Sequence, residues 1–129
     1  DKTLPDTLTV EHILPQNWRE HWPIIAGVQP TSEDHYKAVF HVLEDDTIVG
    51  QIVRRNRLKH TLGNLTLVTQ SFNSGVSNLP FLIKRQEFQE QSILMLTKDV
   101  VKNDIWSENE IEARGKALYA LAQQVWQHP

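Results

Sequence analysis

Residues 10–16 read VEHILPQ and residues 63–73 read GNLTLVTQSFN, and the fold turns on how these two stretches pair. The first belongs to a short run, LTVEHIL over 8–14, rich in branched apolar residues and closed by Pro15. That is the pattern of a strand ending at a turn. In the second, Gly63 breaks the preceding pattern and 64–69 (NLTLVT) alternates as another strand. The expectation is a single β-hairpin carried by a mainly helical, α+β domain.

Working outward, residues 17–31 hold Trp18, Trp22, Pro23, Gly27 and Pro30, which predicts an irregular connection with buried aromatics. A helix is expected over 32–44, capped by Ser32, with Tyr36, Val39, Phe40 and Leu43 at helical spacing. A second helix over 46–58 puts Ile48, Ile52 and Val53 on one side and the arginines on the other. Residues 70–76 read as one or two helical turns stopped near Gly75, and 81–98 as a helix opened by Pro80. The last helix starts at the box Ser107–Glu110 with a Trp106/Ile111 staple. Ile111, Leu118, Leu121, Ala122 and Val125 mark its face.

A chain of 129 residues fits one domain, 1–129, able to bury roughly two-thirds of its unfolded surface. No apolar run approaches the roughly 20 residues of a membrane helix, so no membrane partner is expected. There is no cysteine, hence no disulfide framework and no thiolate metal site, which suits a cytoplasmic protein. The first residue is Asp1 and no signal peptide is visible, so the chain reads as the C-terminal part of a longer one. A net charge of −3 argues against bulk electrostatic binding of nucleic acid but leaves local patches open.

Glu11 and His12 stand at the end of the first strand, Asn64 opens the second, and Asn73 follows nine positions later. Phosphodiester hydrolysis needs an activated water and a neutralised leaving oxygen. A neutral imidazole serves the first near pH 7, and a hard cation on oxygen ligands serves the second. A strand–strand–helix arrangement is expected to bring His12, Glu11 and Asn73 onto one face. Read alone, His12 is a satisfied strand-end histidine, Asn64 a turn residue and Asn73 a helix-ending asparagine.

These blocks resemble the HNH nucleases, and most closely the C-terminal HNH domain of GmrSD-type, modification-dependent (type IV) restriction proteins. The similarity rests on Glu11–Gln16, Leu62–Leu67, Asn73, the run from Ser77 to Lys84, Ile111 to Arg114, and Trp126. Residues 17–57 align to no pattern of that group. The resemblance implies a ββα-metal (HNH) hairpin-plus-helix motif and a metal-dependent DNA endonuclease, nicking or cutting both strands in restriction or phage defence. It implies that His12 is the general base, that Asn73 and Glu11 hold the divalent cation, and that Asn64 clamps the loop between the strands. Glu11 replaces the usual aspartate, so its ligation is direct or through water. With Asn73 where many relatives have histidine, Mg²⁺ or Mn²⁺ is favoured over zinc. The partners implied are DNA, modified or not, and an N-terminal, nucleotide-using recognition domain in the same or a partner chain.

Phosphate contact is expected from Lys84, Arg114, Arg55 and Arg57. Charge alone reads the clusters 54–59 and 84–85 as solvated faces. Arg114 lies on the apolar stripe of the last helix and needs a partner, either a structural carboxylate or the scissile phosphate. His60 is a site neighbour, and the other histidines show no metal-ligand spacing. The rival function is a catalytically inactive HNH fold kept for DNA binding or assembly.

Overall fold

The computed structural model describes residues 8–24, 27–90 and 95–127. Strand β1 (Leu8–His12) pairs antiparallel with β2 (Leu65–Thr69), with His12 opposite Leu65 and Leu8 opposite Thr69. Strand side chains alternate between faces. Thr66 and Val68 therefore turn to the core, while Val10 stays exposed. The fold is α+β: a small two-stranded sheet among helices α1 (Ser32–Phe40), α2 (Ile48–Leu58), α3 (Phe81–Gln89), α4 (Met95–Val101) and α5 (Glu108–Gln127).

Between the strands, the irregular connection is anchored by its tryptophans. Trp18 and Trp22 are buried, their indole N–H groups donating to Asn56 Oδ1 and to the Leu79 carbonyl, each at 2.9 Å. Helix α1 is shorter than the sequence predicts. Thr31, not Ser32, is its N-cap, because Thr31 and Asp34 close a reciprocal capping box, and the backbone turns extended at His41. The stripe Tyr36, Val39, Phe40 and Leu43 is exposed, and the buried residue of this helix is His35, whose ring lies 5.2 Å from that of Trp18. Spacing identified an apolar stripe but not a neighbour to cover it.

The largest departure lies in the arginines of α2. Thr47 caps the helix at Gly50 N, and Ile52, Arg55 and Leu58 all point inward. Arg55 is 1% exposed, pairs with Glu108, donates to the Trp22 and Pro23 carbonyls and covers the Trp18 ring at 4.7 Å. It holds the α2–α5 interface and the tryptophan connection together, so a solvated basic face is the wrong description of it.

The expected helix over 81–98 is two elements, α3 and α4, packed on each other, with 91–94 outside the described residues. Phe88 of α3 and Val100 of α4 both reach the core. The segment 70–76 supplies only a 3-10 turn, Ser74–Val76.

Helix α5 begins as read: Glu110 accepts from Ser107 N and Oγ at 2.9 and 2.8 Å, and Trp106 and Ile111 are buried. Its stripe is covered only in the first half, since Leu121 and Val125 are exposed; the side chain of Trp126 lies outside the described residues. A 3-10 turn at Leu62–Asn64 crosses α5 closely, and a Cβ on Gly63 would run into the Ile111 carbonyl. Only glycine fits between two backbones at that crossing.

Candidate active site

The loop that leaves β1 is held by one side chain. Asn64 is fully buried; its Oδ1 accepts from Leu14 N (2.8 Å) and Trp106 Nε1 (3.1 Å). Its Nδ2 donates to the carbonyls of Leu14 (2.8 Å) and Lys59 (2.9 Å), and its own carbonyl accepts from Ile13 N (2.8 Å). These bonds tie 13–14, 59 and α5's entry to the start of β2. Asn64→Ala strands several buried donors and acceptors, each costing about 1–3 kcal/mol. The variant is expected to melt at lower temperature and to lose activity with its fold. Lost activity at unchanged melting, followed by circular dichroism, would instead give Asn64 a chemical role.

Alternation along β1 sends Glu11 and His12 to opposite faces, so the single shared face expected of His12, Glu11 and Asn73 is not what the strand builds. Glu11 turns toward α3, where its Oε2 meets Lys84 Nζ at 2.9 Å. Lys84 also donates to the carbonyls of His12 and of Ser77 (2.8 Å), which uses all three ammonium protons. It is 0% exposed, neither a solvated lysine nor one free for phosphate. Burial pushes its pKa down to about 8, against the pull of Glu11. Spacing held the signal, since Phe81, Lys84 and Phe88 lie on one helical face and all are buried.

Asn73 is exposed and caps the 3-10 turn, its Oδ1 accepting from Gly75 N at 2.9 Å. Its own N–H donates to Glu87 Oε2 at 3.0 Å, one turn of α3 beyond Lys84. Helix α3 thus carries the partners of both Glu11 and Asn73. Among the described residues no contact joins Asn73 to Glu11 or His12. Nor does any group of three His, Cys, Asp or Glu side chains there stand ready to hold a metal.

On the other face, the His12 ring meets His60 edge-on, centroids 5.6 Å apart, and Gln16 Nε2 lies 3.4 Å from its Nε2. Partial burial lowers the His12 pKa, and the neighbouring His60, Lys84 and Lys59 add to this against Glu11. These surroundings favour the neutral ring, which remains partly exposed. Lys59 Nζ donates to the Gln16 carbonyl at 3.0 Å, closing the loop around it.

The remaining candidates are engaged elsewhere. Arg114 is buried, with Nε on Asp99 Oδ2 at 3.0 Å and Nη1 on the carbonyls of Gly63 (3.1 Å) and Leu65 (2.7 Å). Of its two possible partners, the structural carboxylate is the one it meets. Arg57 is exposed, but its fork is filled by Glu44 at 2.6 and 2.9 Å. Arg55 faces the core and Glu108 instead of solvent.

This α+β framework is here that of a restriction-endonuclease-type nuclease domain. The chain belongs to the GmrSD restriction endonuclease C-terminal domain family, whose family model matches residues 1–121. No curated protein and no solved structure is significantly similar to it. No helix among the described residues is long and apolar enough to cross a membrane.

Proposed function

We propose that this chain is a divalent-metal-dependent DNA endonuclease domain of the HNH (ββα-metal) kind, with His12 as general base. One observation carries the reading: in a restriction-endonuclease family, His12 is partly exposed in surroundings that favour its neutral form, its carbonyl is held by Lys84, and the two residues after it are held by Asn64. It is Gln16 Nε2, a donor, that lies 3.4 Å from His12 Nε2, which favours an unprotonated nitrogen there. That nitrogen takes the proton of the attacking water. Asn64 keeps the loop from drifting, and Lys84 holds the strand end from beneath.

The donors on the α3 side suit a hard cation. Among the described residues only Lys84 pairs with Glu11, through Oε2, so Oε1 is left, and Asn73 Oδ1 uses one of its two lone pairs. Mg²⁺ commonly takes one or two protein oxygens and completes its shell with phosphate and water. The reading requires a phosphate seated across the strand end, with His12 on one side and, on the α3 side, a cation that Glu11 and Asn73 would hold to neutralise the charge developing on the departing 3′-oxygen. Asn73→Ala is expected to weaken Mg²⁺ or Mn²⁺ binding, and Asn73→Asp to keep much of it. Calorimetric titration of each metal into the three proteins checks this, and equal affinity in wild type and the alanine variant would end it.

A net charge of −3 supports weak, unselective hold on DNA. Choice of target, including any modified base, then belongs to an N-terminal, nucleotide-using recognition domain of the same or a partner chain. Such a protein works in the cytoplasm as a barrier to foreign DNA.

A further inference from the structure

The basic residues that sequence marks for phosphate contact are spoken for. Among the described residues, Lys37, Arg54, Arg55, Arg57, Lys84, Arg85 and Arg114 each meet a carboxylate. Arg19 and Lys59 meet none there, and Lys59 lies beside the candidate base. Lys59 spends one ammonium proton on the Gln16 carbonyl at 3.0 Å and has two more to give. Arg19 is exposed and follows Trp18, whose indole is bonded to Asn56 one helical turn before Lys59; after burial, its charge helps lower the Lys59 pKa. His60, the next residue, is exposed with its ring 5.6 Å from that of His12. Cationic groups that meet no carboxylate among the described residues, on an acidic protein, form a site that an anion completes.

Asn64 fixes this edge and the candidate base together, because the same amide holds the carbonyls of Leu14 and Lys59. The arrangement is therefore built into the fold. We infer that Arg19, Lys59 and His60 form the phosphate-binding edge of the His12 site. His60 donates a ring N–H to the phosphate facing His12, and Lys59 and Arg19 take flanking phosphates of the same strand. This deepens the proposed nuclease reading and rests on it for the identity of the ligand as DNA.

The test is fluorescence anisotropy with a labelled duplex at several salt concentrations, in chelator so that nothing is cut. Each phosphate that a variant no longer neutralises lowers the slope of log affinity against log salt by about 0.9. Arg19→Gln is expected to lower it by about 0.9 and the Arg19→Gln/Lys59→Gln double variant by about 1.8, at any duplex sequence. Lys102→Gln/Lys116→Gln removes the same charge outside the proposed edge and should leave the slope unchanged. His60→Ala should weaken binding about tenfold, the value of a charge-assisted hydrogen bond, and His60→Gln should recover much of it. A wild-type slope in the Arg19/Lys59 variant, or an equal drop in the Lys102/Lys116 control, overturns the assignment. A wild-type protein that binds through these residues but never cuts upholds it and sinks the nuclease reading. Cutting with a slope indifferent to Arg19 and Lys59 does the reverse.

Discussion

His12→Ala is expected to lower the rate of phosphodiester cleavage by about 10²–10⁴ while leaving the protein folded. The imidazole adds little to packing: it is partly exposed, and among the described residues its ring contact is the edge of His60 and its hydrogen-bond neighbour a long approach from Gln16. What residue 12 gives to the fold comes from its main chain, through the pairing with Leu65 and the carbonyl that Lys84 grips. Alanine keeps both. Single-turnover cleavage alongside thermal melting separates the two contributions. A variant that cuts at the wild-type rate would remove His12 as the base, and one that fails to fold would make its loss of activity uninformative about chemistry but contradict the packing argument.

Lys84→Met should be the most destabilising of the changes considered, by about 3–5 kcal/mol, because it leaves the Glu11 carboxylate and two carbonyls without their donor. The ammonium joins three chain segments: β1, the Ser77 turn and α3. Methionine refills the volume but offers no proton. Adding Glu11→Leu to the same chain should recover part of the loss, since a buried pair removed whole costs less than one broken. Urea denaturation of the three proteins measures both effects. A loss below about 1 kcal/mol for the single variant would mean that the buried ammonium contributes little.

How far the sequence revealed this follows from the range of each interaction. The strands, the Asn64 turn and the entry of α5 were legible because their determinants lie within a few residues. Arg114 was legible in part: its place on an apolar stripe demanded a partner, and Asp99 is that partner. The same spacing rule, applied to Ile52, Arg55 and Leu58 or to Phe81, Lys84 and Phe88, would have turned Arg55 and Lys84 inward. It was not decisive because their partners, Glu108 and Glu11, lie 53 and 73 residues away along the chain. The opposite faces taken by Glu11 and His12 follow from strand alternation alone. Which cations remain without a carboxylate is a property of the whole fold, and no local pattern around Arg19 or Lys59 carries it.

The central claim is that His12 stands in a metal-dependent nuclease site, and the most direct measurement is the fate of supercoiled plasmid incubated with the purified protein and Mg²⁺ or Mn²⁺. The expected result is conversion to open-circular or linear DNA that stops when the metal is chelated and when His12 is replaced by alanine. Plasmid that stays supercoiled with the wild-type protein, or that is cut equally well in chelator or by the alanine variant, would contradict the claim.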